Sequence, residues 1–203
     1  MSQPSVEVLF PTLLQRFNLE PHQELIDYCY EVYNKEKFGV YRNQRSNRLG
    51  FQSSPQVIDE LKPVHKYIDE HTITTELIHG RAWININPLG GYHIQHTHPN
   101  SDYACVYYLT DSPSKIVLTH PHQFEQFNHQ VSIKDAAAKQ YGVNMGESMR
   151  IVPKKGDILL FPAYVPHYVD SNTVSRDRIS ISWNIDTQIC RGKKGKRMWG
   201  VDP

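Results

Sequence analysis

Two hydrophobic rhythms follow one another along the chain. Between Pro21 and Lys37, Leu25, Cys29, Val32 and Tyr33 recur at helical spacing and stop short of Gly39, which predicts an amphipathic helix. A second helix is predicted from Pro55 to about Glu70, with Val57, Leu61, Val64 and Ile68 as its apolar stripe. Both stripes are best explained as core packing. The polar stretch from Tyr41 to Ser54, with Arg42, Arg45 and Arg48, reads as a solvated loop between them.

After Thr72 the period changes to two. Ile73–Ile78 and Arg81–Asn87 are rich in β-branched and aromatic residues and are bounded by Gly80 and Pro88, which predicts two strands. Further strands are expected at Tyr92–His98, Ala104–Leu109, Lys115–Thr119, Ser148–Pro153, Asp157–Phe161, His167–Asp170 and Arg178–Asp186. Short strands at this density imply a mainly β sandwich or barrel with the helices packed on one outer face. Residues 122–147 interrupt the rhythm as an insertion, with Ser132–Tyr141 as a short helix and a candidate lid. A single domain is expected, with residues 1–72 as helical support, 73–190 as the barrel and 191–203 as a basic tail.

Composition narrows the function classes. The 203 residues carry a formal net charge of +1, so no global electrostatic footprint suggests nucleic acid or an anionic membrane. The cluster Arg191–Arg197 is most simply a solvated terminal charge run. No apolar run reaches the length of a membrane span, and the first residues lack the pattern of a signal peptide. Cys29, Cys105 and Cys190 form no CxxC pair and leave an odd thiol, which fits the cytoplasm better than a disulfide framework. A homodimer stays open.

Chemistry enters through histidine. In Gln95-His96-Thr97-His98 two imidazoles stand two residues apart, so an extended backbone points both to one face. The block from Gly156 to Pro162 leads to a third at His167. Three ligands leave positions open on a metal, which argues for catalysis, although imidazole suits iron, zinc, copper and nickel alike. Asp102 is a carboxylate alternative to His98, but it lies behind Pro99 and off the alternating position. His93, His120 and His122 lack this context and are assigned to packing, solvent contact or the pocket rim. Arg178 offers a planar fork for a carboxylate, and Ser180 shares its strand face. One of Tyr107 and Tyr108 must face inward and either completes a carboxylate pocket, while Trp83, Asn85, Asn87 and Asn184 are candidates for its lining.

Several of these segments carry a family resemblance. The run Gly90–Ser101, the strand Val106–Leu109, the block Gly156–His167 and the closing Arg178–Asn184 resemble the small 2-oxoglutarate/Fe(II) oxygenases found in bacteria and phages. Val8–Thr12 and Ser46–Ser53 resemble that family's opening motifs, so nearly the whole chain is covered. The resemblance implies a double-stranded β-helix, or jelly roll, in which oxidative decarboxylation of 2-oxoglutarate with O2 drives oxidation of a further substrate, hydroxylation being the default. It implies Fe(II) on His96, His98 and His167 and the remote carboxylate of 2-oxoglutarate on Arg178 and Ser180. The substrate is not implied. His98 stands where the wider superfamily usually has a carboxylate, which leaves the site one more positive charge and bears on metal preference. Ala104-Cys105 replaces a Ser-Gly pair common in similar sequences.

Two other function classes compete. A metal-binding cupin that does not use 2-oxoglutarate would share the barrel and histidines but would not need Arg178 and Ser180. A binding module that has lost turnover could keep the same ligands.

Overall fold

A computed structural model describes residues 12–37, 46–121 and 148–187. The insertion 122–147 with its predicted helix, the tail 191–203, the loop arginines Arg42 and Arg45, and Val8–Pro11 of the opening motif lie outside these residues.

In chain order the elements are β1 (Gln15–Asn18), α1 (Gln23–Glu36), β2 (Asn47–Arg48), β3 (Phe51–Gln52), a 3-10 turn at Asp59–Leu61 and α2 (Lys62–His71). The strands β4 (Leu77–Asn87), β5 (Tyr92–His96), β6 (Tyr103–Tyr108), β7 (Ile116–Thr119), β8 (Ser148–Ile151), β9 (Asp157–Pro162), β10 (His167–Val169) and β11 (Arg178–Thr187) follow. They form two antiparallel sheets, ordered β1-β9-β6-β11-β4-β3 and β2-β5-β10-β7-β8. This is the predicted jelly roll.

Period-two alternation gives the larger sheet two faces with different partners. Its outer positions, among them Ile84, Cys105, Tyr107, Ile158, Ile181 and Trp183, pack with Leu25, Cys29 and Val32 of α1 and Val64 and Ile68 of α2. Its inner positions Ala104, Val106, Tyr108, Leu159 and Phe161 meet Ile116, Leu118, Ile151 and Val169 of the smaller sheet. The helices therefore seal one face, and the other face is the wall of an interior that changes from apolar to polar along β11.

Three expectations are corrected. The second helix does not begin at Pro55: Gln56 forms a bridge with Ala82, and helical turns start only at Asp59. Val57 accordingly falls off the buried stripe and is 69% exposed. The two strands predicted on either side of Gly80 are one strand, β4, while residues 73–76 are bends. Gly80 is a bulge within it, because β11 pairs Trp183 with Ala82 and Ile185 with His79, leaving Gly80 and Arg81 opposite Asn184. The region before Thr72 is also less purely helical than expected, since β1 joins the edge of the larger sheet beside β9 and the polar loop supplies β2 and β3.

Truncating Leu61, which is fully buried, to alanine is expected to cost about 2–5 kcal/mol in denaturant unfolding, whereas Val57→Ala should stay within about 0.5 kcal/mol. A pH effect sits under α2. His65 stacks on His79 with ring centroids 4.1 Å apart, near the buried indole of Trp183, and its Nε2 is buried without a partner. Burial holds its pKa down to about 4, with the neighbouring His79 as the smaller cause. The unfolded chain takes up that proton near 6.5, so this contribution to stability is complete above about pH 6.5 and is lost as pH falls toward 4. Replacing His65 by Phe should flatten the melting-temperature profile in that window.

Candidate functional site

The site begins with a register. His167 at the start of β10 pairs with His96 at the end of β5, so both imidazoles leave adjacent strands on the same side. His98 lies two residues beyond β5, where its backbone N–H donates to Ala163 O at 2.9 Å. The three rings meet at the mouth of the barrel, with centroids 4.3 Å apart for His96 and His167, 5.1 Å for His98 and His167, and 5.2 Å for His96 and His98.

Hydrogen bonding fixes which nitrogens face inward. His96 Nδ1 lies 2.8 Å from Ile94 O, and His167 Nδ1 lies 2.9 Å from Val165 O. A carbonyl only accepts, so both Nδ1 atoms carry the proton. His98 Nδ1 is 2.6 Å from Asn184 Oδ1, which acts on it in the same way. The unprotonated Nε2 atoms are then the free donors. Those of His98 and His167 are 3.3 Å apart, two lone pairs facing each other with no proton between them. Ligands at about 2.1 Å from a shared ion stand on the order of 3 Å apart, so a divalent cation between them resolves this contact. His96, His98 and His167, with donor atoms all within 4.8 Å of one another, form the group among the described residues able to hold a metal. Burial is the first cause that keeps these imidazoles neutral; with mutual repulsion, it brings His98 down to about 4 and His167 to about 3, and it lowers His96 as well. Asp102 is engaged elsewhere, accepting from Thr187 N at 2.7 Å and Thr187 Oγ1 at 3.1 Å.

Beside the histidines lies a pocket lined by Trp83, Asn85, His93, Tyr108, Arg178 and Ser180. Arg178, Ser180 and Ser182 alternate with Ile179, Ile181 and Trp183, so β11 sends its polar residues into this pocket and its apolar ones toward the helices. Arg178 is only 2% exposed. Its guanidinium lies 5.1 Å from the centre of the Tyr108 ring, and one amino group donates to Asn87 Oδ1 at 3.3 Å. Among the described residues no carboxylate pairs with it, and its Nε has no partner. The Tyr108 hydroxyl and Asn85 Oδ1 are also buried and unpartnered. A buried cation surrounded by idle polar atoms is chemically suited to receive an anion.

The expected residues divide accordingly. Tyr108 faces the pocket, whereas Tyr107 points to the opposite side of β6, where its hydroxyl donates to Leu19 O at 2.8 Å. Trp83 lies nearly parallel to His98 at 5.7 Å, and Asn85 donates to Ser182 Oγ at 3.2 Å. Asn184 is taken up by His98. Asn87 braces Arg178 from beneath, held by a donated bond to Asn47 Oδ1 at 2.9 Å and by His93 Nε2 at 3.0 Å. His93, which sequence spacing leaves to packing, solvent contact or the pocket rim, lines the pocket. Burial and then the nearby Arg178 charge push its pKa well below the usual range, which keeps it a neutral donor. Regular alternation does not predict this because of a bulge: His96 pairs with His167 but His93 with Val169, so residues three apart both turn inward. Of the Ala104-Cys105 pair, Ala104 faces inward and Cys105 joins the outer core, where burial raises its thiol pKa well above normal. On the other side of His98 a wider groove opens between Thr97, Asn100, Tyr103 and Tyr164.

Fold and site together define a non-haem metal protein built on a double-stranded β-helix. The profile of the family described as "Putative 2OG-Fe(II) oxygenase" matches residues 81–184, more than half of the chain. The chain belongs to this family, and the protein is an Fe(II)- and 2-oxoglutarate-dependent oxygenase. Among solved structures, a prolyl-4-hydroxylase from Pseudomonas putida superposes with a TM-score of 0.54 at 13% identity, over 86% of this chain and 93% of its own. SnoK, a non-haem alpha-ketoglutarate-dependent carbocyclase from nogalamycin biosynthesis, gives 0.57 at 11% over 94% and 90%. HygX from Streptomyces hygroscopicus, solved with nickel, 2-oxoglutarate and hygromycin B, gives 0.53 at 10% over 87% and 83%. At these identities the likeness establishes the fold. No curated protein matches the sequence. No helix among the described residues is long and apolar enough to cross a membrane.

The two histidine layers should separate on substitution. His167→Ala is expected to abolish Fe(II) binding in anaerobic equilibrium dialysis, while His93→Ala should leave one iron per chain and weaken only the anion pocket.

Proposed function

We propose that His96, His98 and His167 hold Fe(II) and that Arg178, Ser180 and Tyr108 hold the remote carboxylate of 2-oxoglutarate. The observation that carries this is the guanidinium of Arg178, buried without a carboxylate partner among the described residues and lining the same pocket as three convergent imidazole lone pairs. A dicarboxylate that reaches both answers both needs. A cupin without a dicarboxylate cosubstrate has no use for such a cation, so the oxygenase reading is preferred to it.

Bound iron, with 2-oxoglutarate and O2, supplies oxidative decarboxylation and the oxidising power for a substrate C–H bond. The residues do the rest by position. Arg178 presents two parallel N–H groups to a carboxylate, and the Ser180 and Tyr108 hydroxyls lie beside it as donors. Asn87, clamped by Asn47 and His93, prevents the guanidinium from swinging away. The walls of Phe161, Val106 and Ile116 exclude water around these bonds and strengthen them. We assign the groove of Thr97, Asn100, Tyr103 and Tyr164 to the primary substrate, because His98 lines both it and the cosubstrate pocket. Hydroxylation is the proposed outcome, and the cytoplasm, on the odd cysteine count, the proposed location.

Calorimetric titration of 2-oxoglutarate into anaerobic Fe(II)-loaded protein tests the anchor. Arg178→Ala should weaken binding by roughly 2–5 kcal/mol, because it removes one partner of a buried charge pair. Arg178→Lys should recover only part of the loss, since an ammonium lacks the planar fork. Unchanged affinity in the alanine variant would sink the assignment.

A further inference from the structure

We propose that Asn184 is a positioning residue that fixes the tautomer and aim of His98. This rests on the three-histidine reading above and concerns how one of its ligands is held.

The three imidazoles are not supported alike. His96 and His167 each donate Nδ1–H to a backbone carbonyl two residues earlier in their own segments, Ile94 O and Val165 O. Those acceptors come with the fold and no side-chain change removes them. His98 stands past the end of β5 and has no such carbonyl. Its Nδ1 is held instead by a side chain 86 positions away, Asn184 Oδ1, at 2.6 Å, the shortest of the three bonds. Without an acceptor there, neutral His98 can move its proton to Nε2, which would point a hydrogen rather than a lone pair at His167 Nε2 only 3.3 Å away.

The backbone shows how Asn184 gets there. It continues the inward alternation of Arg178, Ser180 and Ser182 on a strand whose register with β6 is unbroken, and it stands opposite both Gly80 and Arg81 of the bulged β4. A Cβ at Gly80 would stand 2.9 Å from Asn184 O, a main-chain atom that cannot move without carrying Asn184 with it. Asn184 also ends the polar row Arg178, Ser180, Ser182 on the same strand, so β11 fixes the cosubstrate anchor at one end and the third imidazole at the other.

Two readouts on the full chain test this. Long-range proton–nitrogen NMR of the metal-free protein should show His98 as a single Nδ1–H tautomer, which Asn184→Ala converts to a mixture and Asn184→Asp retains, because a carboxylate only accepts. Anaerobic Co(II) titration against a chelator should then show about 10–100-fold weaker binding in Asn184→Ala and in Gly80→Ala, and no weakening in Asn184→Asp. An unchanged tautomer and Co(II) affinity in Asn184→Ala overturns the proposal. So does an Asn184→Asp variant that loses the Nδ1–H tautomer, a result that stands even if the alanine variant does not fold. Failure of the unsubstituted protein to bind Co(II) overturns the three-histidine reading itself, whereas normal binding with no effect at Asn184 overturns only the role given to that residue.

Discussion

A guanidinium buried at 2% exposure without a carboxylate beside it is the constraint on which the rest of this site depends. Taking a cation out of water costs several kcal/mol unless its charge is answered, and Asn87 and the Tyr108 ring answer only part of it. The chain tolerates that cost because β11 is pinned on both sides, against β4 along nearly its whole length and against β6. Its alternate residues Ile179, Ile181, Trp183 and Ile185 are clamped under the helices. Packing on the outer face thus supports strain on the inner one. Arg178 cannot retreat to solvent, and it remains a standing attraction for an anion of the right reach.

The metal side follows a complementary logic. Three neutral imidazoles bring no charge to offset a divalent ion, and no carboxylate belongs to the described group. With Fe(II) and Arg178 together the site carries a charge of about +3 before any cosubstrate binds, and a 2-oxoglutarate dianion reduces it to about +1. Metal and guanidinium therefore both favour the same ligand. Under the proposed assignment, the site would gain in selectivity for a dianion what it gives up by having His98 in place of a carboxylate. This charge balance also agrees with the substrate groove proposed on the far side of His98, since the proposed cosubstrate position is the side facing Arg178.

Much of this was legible in the sequence where strand alternation is regular. Arg178 and Ser180 share an inward face because nothing interrupts β11 between them, and residues 157–161 carried their strand for the same reason. Legibility failed at the irregularities. Alternation leaves His93 to packing, solvent contact or the pocket rim, because a bulge in β5 turns residues three apart to one side, and it places Asn184 on the pocket wall without showing that its amide oxygen reaches His98. Gly80 reads in sequence as the end of a strand, yet it lies within one. The choice between Tyr107 and Tyr108 depended on register to one residue, which only the pairing of Ser180 with Tyr108 decides. Val57 misled through propensity: it continues the helical stripe in sequence, but Gln56 is already held by Ala82 in an extended bridge.

The most direct measurement is a visible absorption titration of 2-oxoglutarate into the anaerobic Fe(II)-loaded protein. Chelation of the 2-oxo acid to iron held by His96, His98 and His167 should produce a metal-to-ligand charge-transfer band that saturates at one equivalent. Iron bound at full stoichiometry with no such band would contradict the account, because the metal and the Arg178 pocket would then not be sharing one ligand.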